Sequence, residues 1–461
     1  MADKTSLRLT EEQRVRLQHH LFPGDGREAV ALALCGTLFC AGRQIFCIHD
    51  IIEVPFDACI LRTEVAVRWD VKFLVPILER ALKRGFLILK IHSHPKGYEQ
   101  FSTQDNQSDL ELGKCIEAIL ECSPSLISAF MTPEGRIYAR KVIAKTGFEP
   151  IERVMVVGDS LTFMQQNLIS KSSDLDLRTR QAFGDGTNNL LRSLSIGVAG
   201  CSGTGSWVVE MLGRLGVGHL VLVDPDTIET KNLNRIVNST IDDANMKRSK
   251  VDALADAVRA MGFETNVNTH SKDLDHPDVI RDLASCDFVF GCMDSADGRD
   301  MLNRIATYYL VPYVDVGVRL DADGRGGIEQ ICCAVHYLIP GGSSLLSRGV
   351  ITSDQVQAQA MQRTNPIQYA ALQKEGYIKG IAVDRPAVIS VNGFAATHAV
   401  NEMLARLHPF RRDPNEEFRH QIFSLSDGAW LRLSDGPPCK LLARFVGRGD
   451  AQPLLGNPAL S

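Results

Sequence analysis

The fold of the second half of the chain is decided by the stretch Ser195-Ile-Gly-Val-Ala-Gly-Cys-Ser-Gly-Thr-Gly205. This pattern is typical of an apolar strand that turns through glycines into an amphipathic helix. In such an arrangement, backbone N–H groups and the N-terminus of the helix can bind phosphate. The stretch therefore predicts a nucleotide site in an α/β domain.

A carboxylate that could accompany this loop is Asp224, at the end of the next predicted strand. A carboxylate in that place can accept hydrogen bonds from ribose hydroxyls, and the pair taken alone suggests NAD. However, Ser202 stands where the dinucleotide fingerprint needs its second glycine. An NAD-dependent oxidoreductase therefore remains only an alternative.

Strand and helix patterns alternate from residue 194 onward. They cover 194–199, 203–215, 219–223, 247–261, 265–268, 286–290, 296–309 and 313–318. This alternation predicts a parallel, doubly wound sheet. A long helical pattern at 385–408 follows, with one small and apolar face that suits a core or dimer contact.

Four separate blocks in this region resemble the ThiF/MoeB and ubiquitin-activating adenylyltransferase family. Residues 223–235 read VDPDTIETKNLNR and are similar to the family's Asp-x-Asp and Asn-Leu-x-Arg segment. Residues 247–251 resemble its Gly-x-x-Lys segment with a lysine in place of the glycine, and 291–295 resemble its metal-binding Asp turn. Residues 180–181 match the family's Arg-Gln pair, and the order of the blocks makes the resemblance specific.

The resemblance implies attack of a substrate carboxylate on the α-phosphate of ATP. Charge then develops on phosphoryl oxygens, so cations and Mg(II) should cluster there. Asp294 would anchor the Mg(II), an ion that prefers oxygen ligands. Arg180, Arg235 and Lys250 would be catalytic, with Arg180 reaching the ATP of the other subunit of a homodimer. The nucleotide-binding residues that it implies are Gly200, Gly203, Gly205, Asp224, Asn234, Arg235 and Lys250.

A second motif lies in the first third of the chain, where residues 92–105 read HSHPKGYEQFSTQD. His92 and His94 end a predicted buried strand with both side chains on one face. A catalytic zinc site takes three protein ligands and one water, and Asp105 is the natural third ligand. Ser102 could cap the helix that begins near Asp105 and donate a hydrogen bond to a metal-bound water or an oxyanion.

This second motif resembles that of the JAB/JAMM (MPN) metalloproteases, His-x-His-x7-Ser-x2-Asp with an upstream Glu. The match for the upstream residue is Glu28, and Glu53 and Glu64 are weaker candidates. The resemblance implies a Zn(II)-dependent peptidase or isopeptidase in which Glu28 shuttles the proton and Ser102 assists catalysis. Zinc would activate the attacking water near neutral pH.

These patterns predict three segments. Residues 1–150 form an α+β JAB/MPN-like domain, 151–193 form a connector and an entry helix with the arginine finger, and 194–461 form a Rossmann-like ThiF-type adenylation domain. In the first domain, helices are predicted at 8–21, 70–84 and 105–121, strands at 28–35, 44–48, 51–54 and 86–91, and a hairpin at 125–139.

Composition narrows the function classes. At 461 residues the chain should hold two or three domains, and a net charge of −5 offers no general attraction to nucleic acid or anionic membrane. The sequence has no long apolar run and no signal-peptide pattern, so we expect a cytoplasmic protein. Its 12 cysteines include no Cys-x-x-Cys pair, which indicates reduced, mostly buried thiols.

The chain departs from many relatives, which carry paired cysteines for structural zinc or a thioester cysteine after the sheet. Residues 340–349 read PGGSSLLSRG here, so serines replace any sulfur. Candidate acyl acceptors elsewhere are Cys332, Cys333 and Cys439, of which Cys439 is the first to test. Capture of an acyl-adenylate by the thiol or amine of a partner is equally open.

Together these features predict a bifunctional enzyme of a ubiquitin-like modification pathway. It would adenylate the C-terminal carboxylate of a ubiquitin-like protein that ends in Gly, and its zinc site would process or deconjugate that protein. A conjugating-enzyme-like or other thiol partner could follow, and the joint occurrence of the two families in bacteria suggests a bacterial source. Alternatives are adenylation of a small molecule or peptide in sulfur transfer or peptide maturation, and a non-enzymatic scaffold.

Overall fold

Two units, each with its own sheet, make up the computed structural model, which describes residues 4–40, 42–122, 124, 126–165, 174–323, 325–374, 388–457 and 460. The first unit comprises Met1–Asn167, Thr307–Leu310 and Phe445–Ser461, and the second comprises Leu168–Ala306 and Val311–Arg444. The C-terminal segment thus groups with the first unit, whereas the sequence placed it with the second. Across the described ranges, no helix has the length and apolar character to span a membrane.

The first unit contains a nine-stranded sheet in the order β11-β10-β1-β3-β2-β6-β7-β8-β9 and a separate hairpin of β4 and β5. Its strands are β1 (Lys4–Thr10), β2 (Val30–Cys40), β3 (Arg43–Glu53), β4 (Cys59–Arg62), β5 (Val67–Trp69), β6 (Leu87–Ser93), β7 (Leu126–Met131), β8 (Ile137–Ile143), β9 (Gly147–Pro150), β10 (Arg153–Val157) and β11 (Leu161–Gln165). Its helices are α1 (Glu11–Leu21), α2 (Val75–Arg84) and α3 (Thr103–Leu120).

Strand β6 lies in the middle of this sheet and is buried on both faces. Leu87, Leu89 and Ile91 belong to one apolar cluster, and Ile88 belongs to the other, with residues of α2 and α3. The sequence of a strand that is covered on both faces is mostly apolar, and residues 87–91 of β6 are apolar except for Lys90. Because side chains alternate along a strand, His92 shares the face of Ile88.

Several predicted elements of this unit have different bounds in the structure. The predicted helix 8–21 begins only at Glu11, because Thr10 caps it with a capping box and residues 8–10 end strand β1. The runs 44–48 and 51–54 are one strand, β3, which continues through an irregularity opposite Leu34 and Cys35. The predicted helix 70–84 begins as a short 3₁₀ turn at Val71–Leu74 before α2.

The predicted connector 151–193 starts inside the first sheet. Strand β10 pairs in parallel with β1, and β11 pairs in antiparallel fashion with β10. The pairing with the chain's first strand is long-range, and no local pattern announces it. Residues 166–173 of the connector lie outside the described residues.

The elements of the chain beyond this segment form an eight-stranded sheet and its helices. The strands are β12 (Ser195–Ala199), β13 (His219–Val223), β14 (Asn266–His270), β15 (Phe288–Gly291), β16 (Tyr313–Ala322), β17 (Ile328–Leu338), β18 (His420–Ser424) and β19 (Ala429–Arg432). The helices are α4 (Leu177–Ser193), α5 (Gly203–Arg214), α6 (Ile241–Asn245), α7 (Lys250–Ala260), α8 (Pro277–Ser285), α9 (Ala296–Tyr309), α10 (Ser353–Thr364), α11 (Pro366–Lys374) and α12 (Ile389–Leu407).

The second sheet has the order β14-β13-β12-β15-β16-β17-β18-β19. The first five strands are parallel, as predicted, but β17, β18 and β19 are antiparallel additions. The alternation that predicted a parallel sheet ended at residue 318, within β16, and it did not include the antiparallel extension by β17, β18 and β19. The chain leaves β12 toward β13 on one side and later returns on the other side as β15. Rossmann-like sheets bind ligands at the carboxyl ends of strands at such a switch point.

The long helical pattern predicted at 385–408 corresponds to α12, and residues 385–387 lie outside the described residues. Ala395, Ala396 and Ala399 on its small-residue face are buried. The helix packs against α5, the helix that follows the glycine loop. The predicted apolar face is therefore a core contact within the unit.

Candidate functional site

The first unit brings His92, His94 and Asp105 together at the end of β6. One ligand atom from each of the three lies within 4.8 Å of the others. Nε2 of His92 is 3.0 Å from Nε2 of His94 and 3.2 Å from Oδ1 of Asp105. Two nitrogens bound to one tetrahedral zinc ion at about 2.0–2.1 Å lie about 3.4 Å apart, so the donor set and its spacing fit zinc.

Neighbouring groups hold two of these three side chains. Nδ1 of His94 is 2.7 Å from the carbonyl oxygen of Tyr98, an outer partner of the kind that orients metal-binding imidazoles. The His94 ring also stacks on Phe130, with 4.1 Å between the ring centroids. Nδ1 of His92 is buried and has no hydrogen-bond partner among the described residues. Hydrogen bonds to groups outside the site therefore orient His94 and Asp105, but not the Nδ1 side of the His92 ring.

The charge states of these residues suit cation binding. Burial alone would raise the pKa of Asp105, but hydrogen bonds to His92 and His94 hold it well below its usual value. Burial lowers the pKa of His92. Burial also opposes protonation of His94, but the Asp105 carboxylate and the Tyr98 carbonyl raise its pKa. An ionised carboxylate beside two imidazoles is a donor set that zinc accepts.

Glu28 comes to this site through the register of two strands. Strand β2 runs antiparallel to β6 with Val30 opposite His92, so Glu28 lies across from His94. Burial raises the pKa of Glu28 to about 7, and the nearby Asp105 charge contributes to that rise. A carboxyl with this pKa can both accept and donate a proton near neutrality.

The hairpin of β4 and β5 fixes the backbone of Glu28, whose N–H donates to Thr63 O at 2.7 Å. The guanidinium of Arg62 donates to the Glu28 carbonyl oxygen at 2.9 Å. The weaker candidates have other partners, because Glu53 pairs with Arg16 and Glu64 pairs with Lys96. Of the three glutamates, Glu28 is the one that the structure places against the histidines and the aspartate.

Ser102 caps α3, as the sequence predicted. Its Oγ accepts from the Asp105 N–H, and its hydroxyl donates to Oδ2 of Asp105 at 2.7 Å. The cap therefore also orients the carboxylate that faces His92. Since the hydroxyl already serves Asp105, a role of Ser102 toward an oxyanion stays a prediction.

A buried charge cluster anchors α3 behind this site. Asp109, one turn after Asp105, accepts from Lys90 at 2.6 Å, Ser128 at 2.5 Å and Arg140 at 2.7 Å. Lys90 lies two residues before His92 on the same strand face. The cluster thus connects the helix of Asp105 to the strand of His92.

We expect Asp109→Asn to destabilise the first unit strongly. The substitution keeps the side-chain size but leaves Lys90 and Arg140 without a buried counter-ion, at a cost of about 3–5 kcal/mol. Denaturant unfolding measures the change. The matched control is Asp50→Asn, since the exposed pair of Asp50 with Arg80 should contribute less than about 1 kcal/mol. Equal effects of both substitutions would contradict the anchoring role.

The second unit places a glycine loop at the switch point of its sheet. Gly200 follows β12 with φ +88°, and its N–H donates to Val223 O at 2.8 Å. A Cβ at Gly200 would lie 2.6 Å from the Cys292 carbonyl oxygen, and one at Gly205 would collide with the Gly200 carbonyl oxygen. Close backbone approach therefore requires glycine at both positions, and the loop leads directly into the N-terminus of α5, the kind of place at which phosphates bind.

Substitution of Gly205 tests this packing. Alanine normally favours a helix over glycine by about 1 kcal/mol, but at Gly205 the added methyl must displace the loop backbone. We expect Gly205→Ala to lower the free energy of unfolding by about 1–3 kcal/mol. In α4, a Cβ at Gly186 would meet nothing within 4 Å, so Gly186→Ala should be neutral or stabilising. An unchanged free energy of unfolding in Gly205→Ala would show that the loop backbone does not pack closely against Gly205.

Asp224 lies at the end of β13 beside the loop, where it accepts from the Cys201 N–H at 2.8 Å. Its other carboxylate oxygen is 3.3 Å from Nζ of Lys250, and Nζ also donates to Asp226 at 2.7 Å. Burial alone would lower the pKa of Lys250, but the two carboxylates raise it. Lys250 is therefore a charged, buried ammonium that a pair of aspartates holds close to the loop.

Arg235 flanks the same loop from the other side. Its Cδ lies 3.4 Å from the position that a Cβ of Gly203 would take, and Nη1 donates to Lys231 O at 2.9 Å. Asn234 is exposed, and its side-chain oxygen is 3.3 Å from the same guanidinium nitrogen. The structure thus brings Arg235 to the glycine loop, whereas it shows Asn234 only as a neighbour of Arg235.

Asp294 follows β15, the strand next to β12. The Cys292 N–H donates to Ala199 O at 2.8 Å, which holds this turn against the glycine loop. Asp294 is exposed, and its negative charge acts on the guanidinium of Arg299. Burial alone would lower the pKa of Arg299. The carboxylate of Asp315 raises this pKa above its usual value, and Asp294 contributes to the rise. An exposed carboxylate at this place is accessible to a hydrated cation.

A cleft of about 360 Å³ lies at the carboxyl ends of β14 and β15. This volume is within the range of small-molecule sites. The turn after β14, the start of α9 and helix α10 line it. The lining residues are Asp273, Leu274, Asp275, Met293, Ser295, Asp297, Gly298, Met301, Gln359, Gln362 and Arg363.

Arg180 does not contact the glycine loop in the described chain. On α4 its Nε donates to Asp176 at 3.0 Å, and its Nη1 is 3.6 Å from Asp185. Asp176 also accepts from Asn188 and Arg192. A role toward the ATP of another subunit stays a prediction for Arg180.

The family model described as the ThiF family matches residues 175–427, which is more than half of the chain. The chain belongs to the ThiF family. The match spans the glycine loop, Asp224, Arg235, Lys250 and Asp294.

Three curated relatives give the range of similarity. The adenylyltransferase and sulfurtransferase MOCS3 of Caenorhabditis briggsae is 30% identical over 143 residues, 31% of this chain and 35% of that protein. Ubiquitin-like modifier-activating enzyme 5 of Drosophila pseudoobscura pseudoobscura is 25% identical over 166 residues, 33% and 39% of the two chains. Molybdopterin-synthase adenylyltransferase of Haemophilus influenzae is 28% identical over 141 residues, 31% and 56%. This ThiF-family chain therefore spans a third to just over half of their lengths.

Of the three candidate acyl-accepting thiols of this ThiF-family chain, Cys333 and Cys439 are buried and Cys332 is half-buried. Cys439, the first to test by sequence, is buried, and its N–H donates to Gly342 O at 2.9 Å. Burial raises the pKa of Cys333 to about 12 and also raises the pKa of Cys332. A thiolate nucleophile needs a lowered pKa and access, so none of the three is activated in this state.

Two groups of site residues escaped the sequence reasoning. Asp226 is the second carboxylate that contacts Lys250. It lies in the Asp-x-Asp segment, but the sequence did not assign it a role in the nucleotide site. The buried charge cluster behind His92 consists of Lys90, Asp109 and Arg140. The lysine within an otherwise apolar strand was the feature of the sequence that could have indicated it. Charged residues in predicted core strands need a partner, and only the fold shows which one.

Proposed function

We propose that the ThiF-family unit activates a carboxylate by transferring AMP to it from ATP. The observation that carries the proposal is the constellation at the switch point. The N-terminus of α5, the buried ammonium of Lys250 and the side chain of Arg235 lie around one glycine loop, and the carboxylate of Asp224 at the end of β13 lies beside them. Loops of this kind bind phosphates, and the cations suit a reaction in which negative charge grows on phosphoryl oxygens.

Each group has a place in this reaction. Asp224 accepts from the ribose hydroxyls, and the adjacent cleft of about 360 Å³ takes the base. The loop N–H groups with Arg235 and Lys250 hold the phosphates while a substrate carboxylate oxygen attacks the α-phosphorus and pyrophosphate leaves. Asp294, together with phosphate oxygens, would hold Mg(II), which offsets the charge of the departing pyrophosphate.

We infer that the substrate is the C-terminal carboxylate of a ubiquitin-like protein that ends in Gly. The name of one relative includes a ubiquitin-like modifier. In addition, the segment between α12 and β18 and strand β19 carry two exposed aromatic side chains, Phe410 and Trp430, beside the buried Phe418 and the arginines Arg411 and Arg412. Aromatic and arginine side chains are the typical anchors of protein interfaces. This surface favours a protein over a small molecule as the substrate.

Exchange of labelled pyrophosphate into ATP tests the proposal. We expect exchange that depends on a ubiquitin-like protein with an intact C-terminal Gly, and a protein adenylate that mass spectrometry detects. Exchange driven by a small carboxylic acid or a short peptide would favour the alternative of sulfur transfer or peptide maturation. Absence of exchange with every carboxylate would remove the activity and leave a nucleotide-binding scaffold.

We propose a second function for the first unit, a zinc-dependent peptidase or isopeptidase that acts on the same kind of protein. The convergence of His92, His94 and Asp105 with Glu28 beside them favours it. A zinc ion held by the first three would supply a water activated near neutral pH. Glu28 would take the proton of the attacking nucleophile and return it to the leaving amine, for which a pKa of about 7 is suited.

The remaining assignments follow from these two activities. We propose that a homodimer brings Arg180 to the nucleotide of the other subunit. An acyl-adenylate would be transferred to a thiol or amine of a partner, because Cys333 and Cys439 are buried and the pKa of Cys332 is raised. A cytoplasmic location would suit a pathway that uses ATP.

A further inference from the structure

Asn392 is a buried polar residue in the first turn of α12, and none of the roles assigned above involves it. Its side chain and backbone together are 4% exposed. Its neighbours along the helix are mainly apolar or small, which is the reason the sequence pattern predicted a core helix here. A buried amide in such a position needs partners for its hydrogen bonds.

The amide of Asn392 lies against the glycine loop. A Cβ at Gly203 would collide with Nδ2 of Asn392, so this glycine leaves the room that the amide fills. Gly203 is the first residue of α5, the helix whose N-terminus opens on the proposed phosphate site. The same point lies 3.4 Å from Cδ of Arg235. Asn392 is therefore beside the first residue of α5 and close to the side chain of Arg235.

The hydrogen-bond inventory of this amide is incomplete. Oδ1 of Asn392 accepts from the Thr204 hydroxyl at 3.4 Å, a long hydrogen bond. Nδ2 carries two hydrogens, and the described residues provide no acceptor for either of them. A donor that has no acceptor among the described residues is available to a ligand that can accept from it.

We propose that the Asn392 amide donates a hydrogen bond to an anionic oxygen of the adenylation reaction, either on an ATP phosphate or on the attacking carboxylate. The inference rests on the proposed adenylation. A neutral amide suits this place because Arg235, Lys250 and the helix terminus already supply positive charge, and the amide adds direction without further repulsion. Asn392 would act together with the loop N–H groups as a donor at the position where charge develops.

Asn392→Asp is the informative substitution, because it keeps the shape and replaces the donor with a negative acceptor. A carboxylate there would interact favourably with the N-terminus of α5 and with Arg235, so folding should be unimpaired. It would repel phosphate and carboxylate alike. A merely structural Asn392 predicts the opposite pattern, in which thermal stability falls and binding falls with it.

The experiment measures ATP affinity by calorimetry without a second substrate, pyrophosphate exchange, and the unfolding temperature. For Asn392→Asp we expect exchange to fall at least about a hundredfold and the unfolding temperature to stay within about 2 °C. A tenfold or larger loss of ATP affinity assigns the contact to phosphate. Unchanged ATP affinity with a raised KM for the carboxylate substrate assigns it to the carboxylate.

Asn266→Asp is the matched control, because Asn266 is an exposed residue at the start of β14, away from the carboxyl ends of the strands and the glycine loop. It should leave all three measurements unchanged. Asn392→Ala, which removes the donor without adding charge, should show a smaller loss of exchange than Asn392→Asp. Exchange by Asn392→Asp within twofold of the original protein would overturn the proposal. Lack of exchange in the original protein would instead refute the adenylation, and ATP affinity would still test the phosphate contact.

Discussion

Asp294→Ala should reduce ATP–pyrophosphate exchange at least about a hundredfold and leave the fold intact. The carboxylate is exposed, and no hydrogen bond or ion pair of the described residues depends on it, so its loss should not destabilise the unit. Its position at the turn that contacts Gly200 makes it the available oxygen ligand for a cation on the phosphates. The measurement is exchange at saturating ATP over a range of Mg(II) concentrations.

Two observations make this test specific. Asp252→Ala removes an exposed carboxylate from the first turn of α7 and should leave exchange unchanged. Asp294→Ala should also leave the metal content of the His92 site at its original level. Full exchange in Asp294→Ala would end the assignment of Asp294 as the Mg(II) ligand. A loss of both exchange and cooperative unfolding would instead indicate a structural role.

Glu28→Gln should retain zinc and lose about 10²–10⁴-fold in peptide hydrolysis. Glutamine keeps the size of the side chain and its hydrogen-bonding capacity, but it cannot take up a proton. Removal of a ligand should act differently, and His94→Ala should lose the metal together with the activity. Elemental analysis of the purified protein and cleavage of a ubiquitin-like fusion measure the two effects separately.

Glu64→Gln provides the control for Glu28→Gln, because Glu64 is an exposed glutamate that pairs with Lys96 close to the same loop. It should retain both zinc and hydrolysis. Hydrolysis by Glu28→Gln at the original rate would remove Glu28 as the proton shuttle. If the original protein contains no zinc and does not bind added zinc, the proposed metal centre is refuted. The adenylation proposal would not be affected by that result.

Much of each site could be predicted where the determining residues are close in sequence. His92 and His94 are two residues apart on a strand, so their convergence follows from the alternation of side chains. Asp105 follows from the capping box that begins at Ser102. The glycine loop with Asp224 follows from a strand, a turn and a helix in immediate succession. In each case the geometry depends on a few neighbouring dihedral angles.

Other features could not be predicted because they depend on pairing between distant segments. The placement of Glu28 across from His94 requires the register of β2 against β6. The continuation of the first sheet beyond residue 150 requires β10 to pair with β1. The antiparallel strands β17, β18 and β19 extend the sheet beyond residue 318, where the alternating pattern ended. Competing registers share similar local patterns, and only the summed burial of the whole sheet separates them.

The sequence by itself determined the residue types of two candidate sites, namely the glycine loop with its neighbouring charges and the spacing of His92, His94, Ser102 and Asp105. Tertiary structure alone decided which charges lie together, such as Lys250 with Asp224 and Asp226, and which polar atoms find no partner among the described residues, such as Nδ2 of Asn392. The physical reason is that residue type sets what a side chain can bind. The contacts it makes depend on burial and long-range packing, which no local pattern encodes.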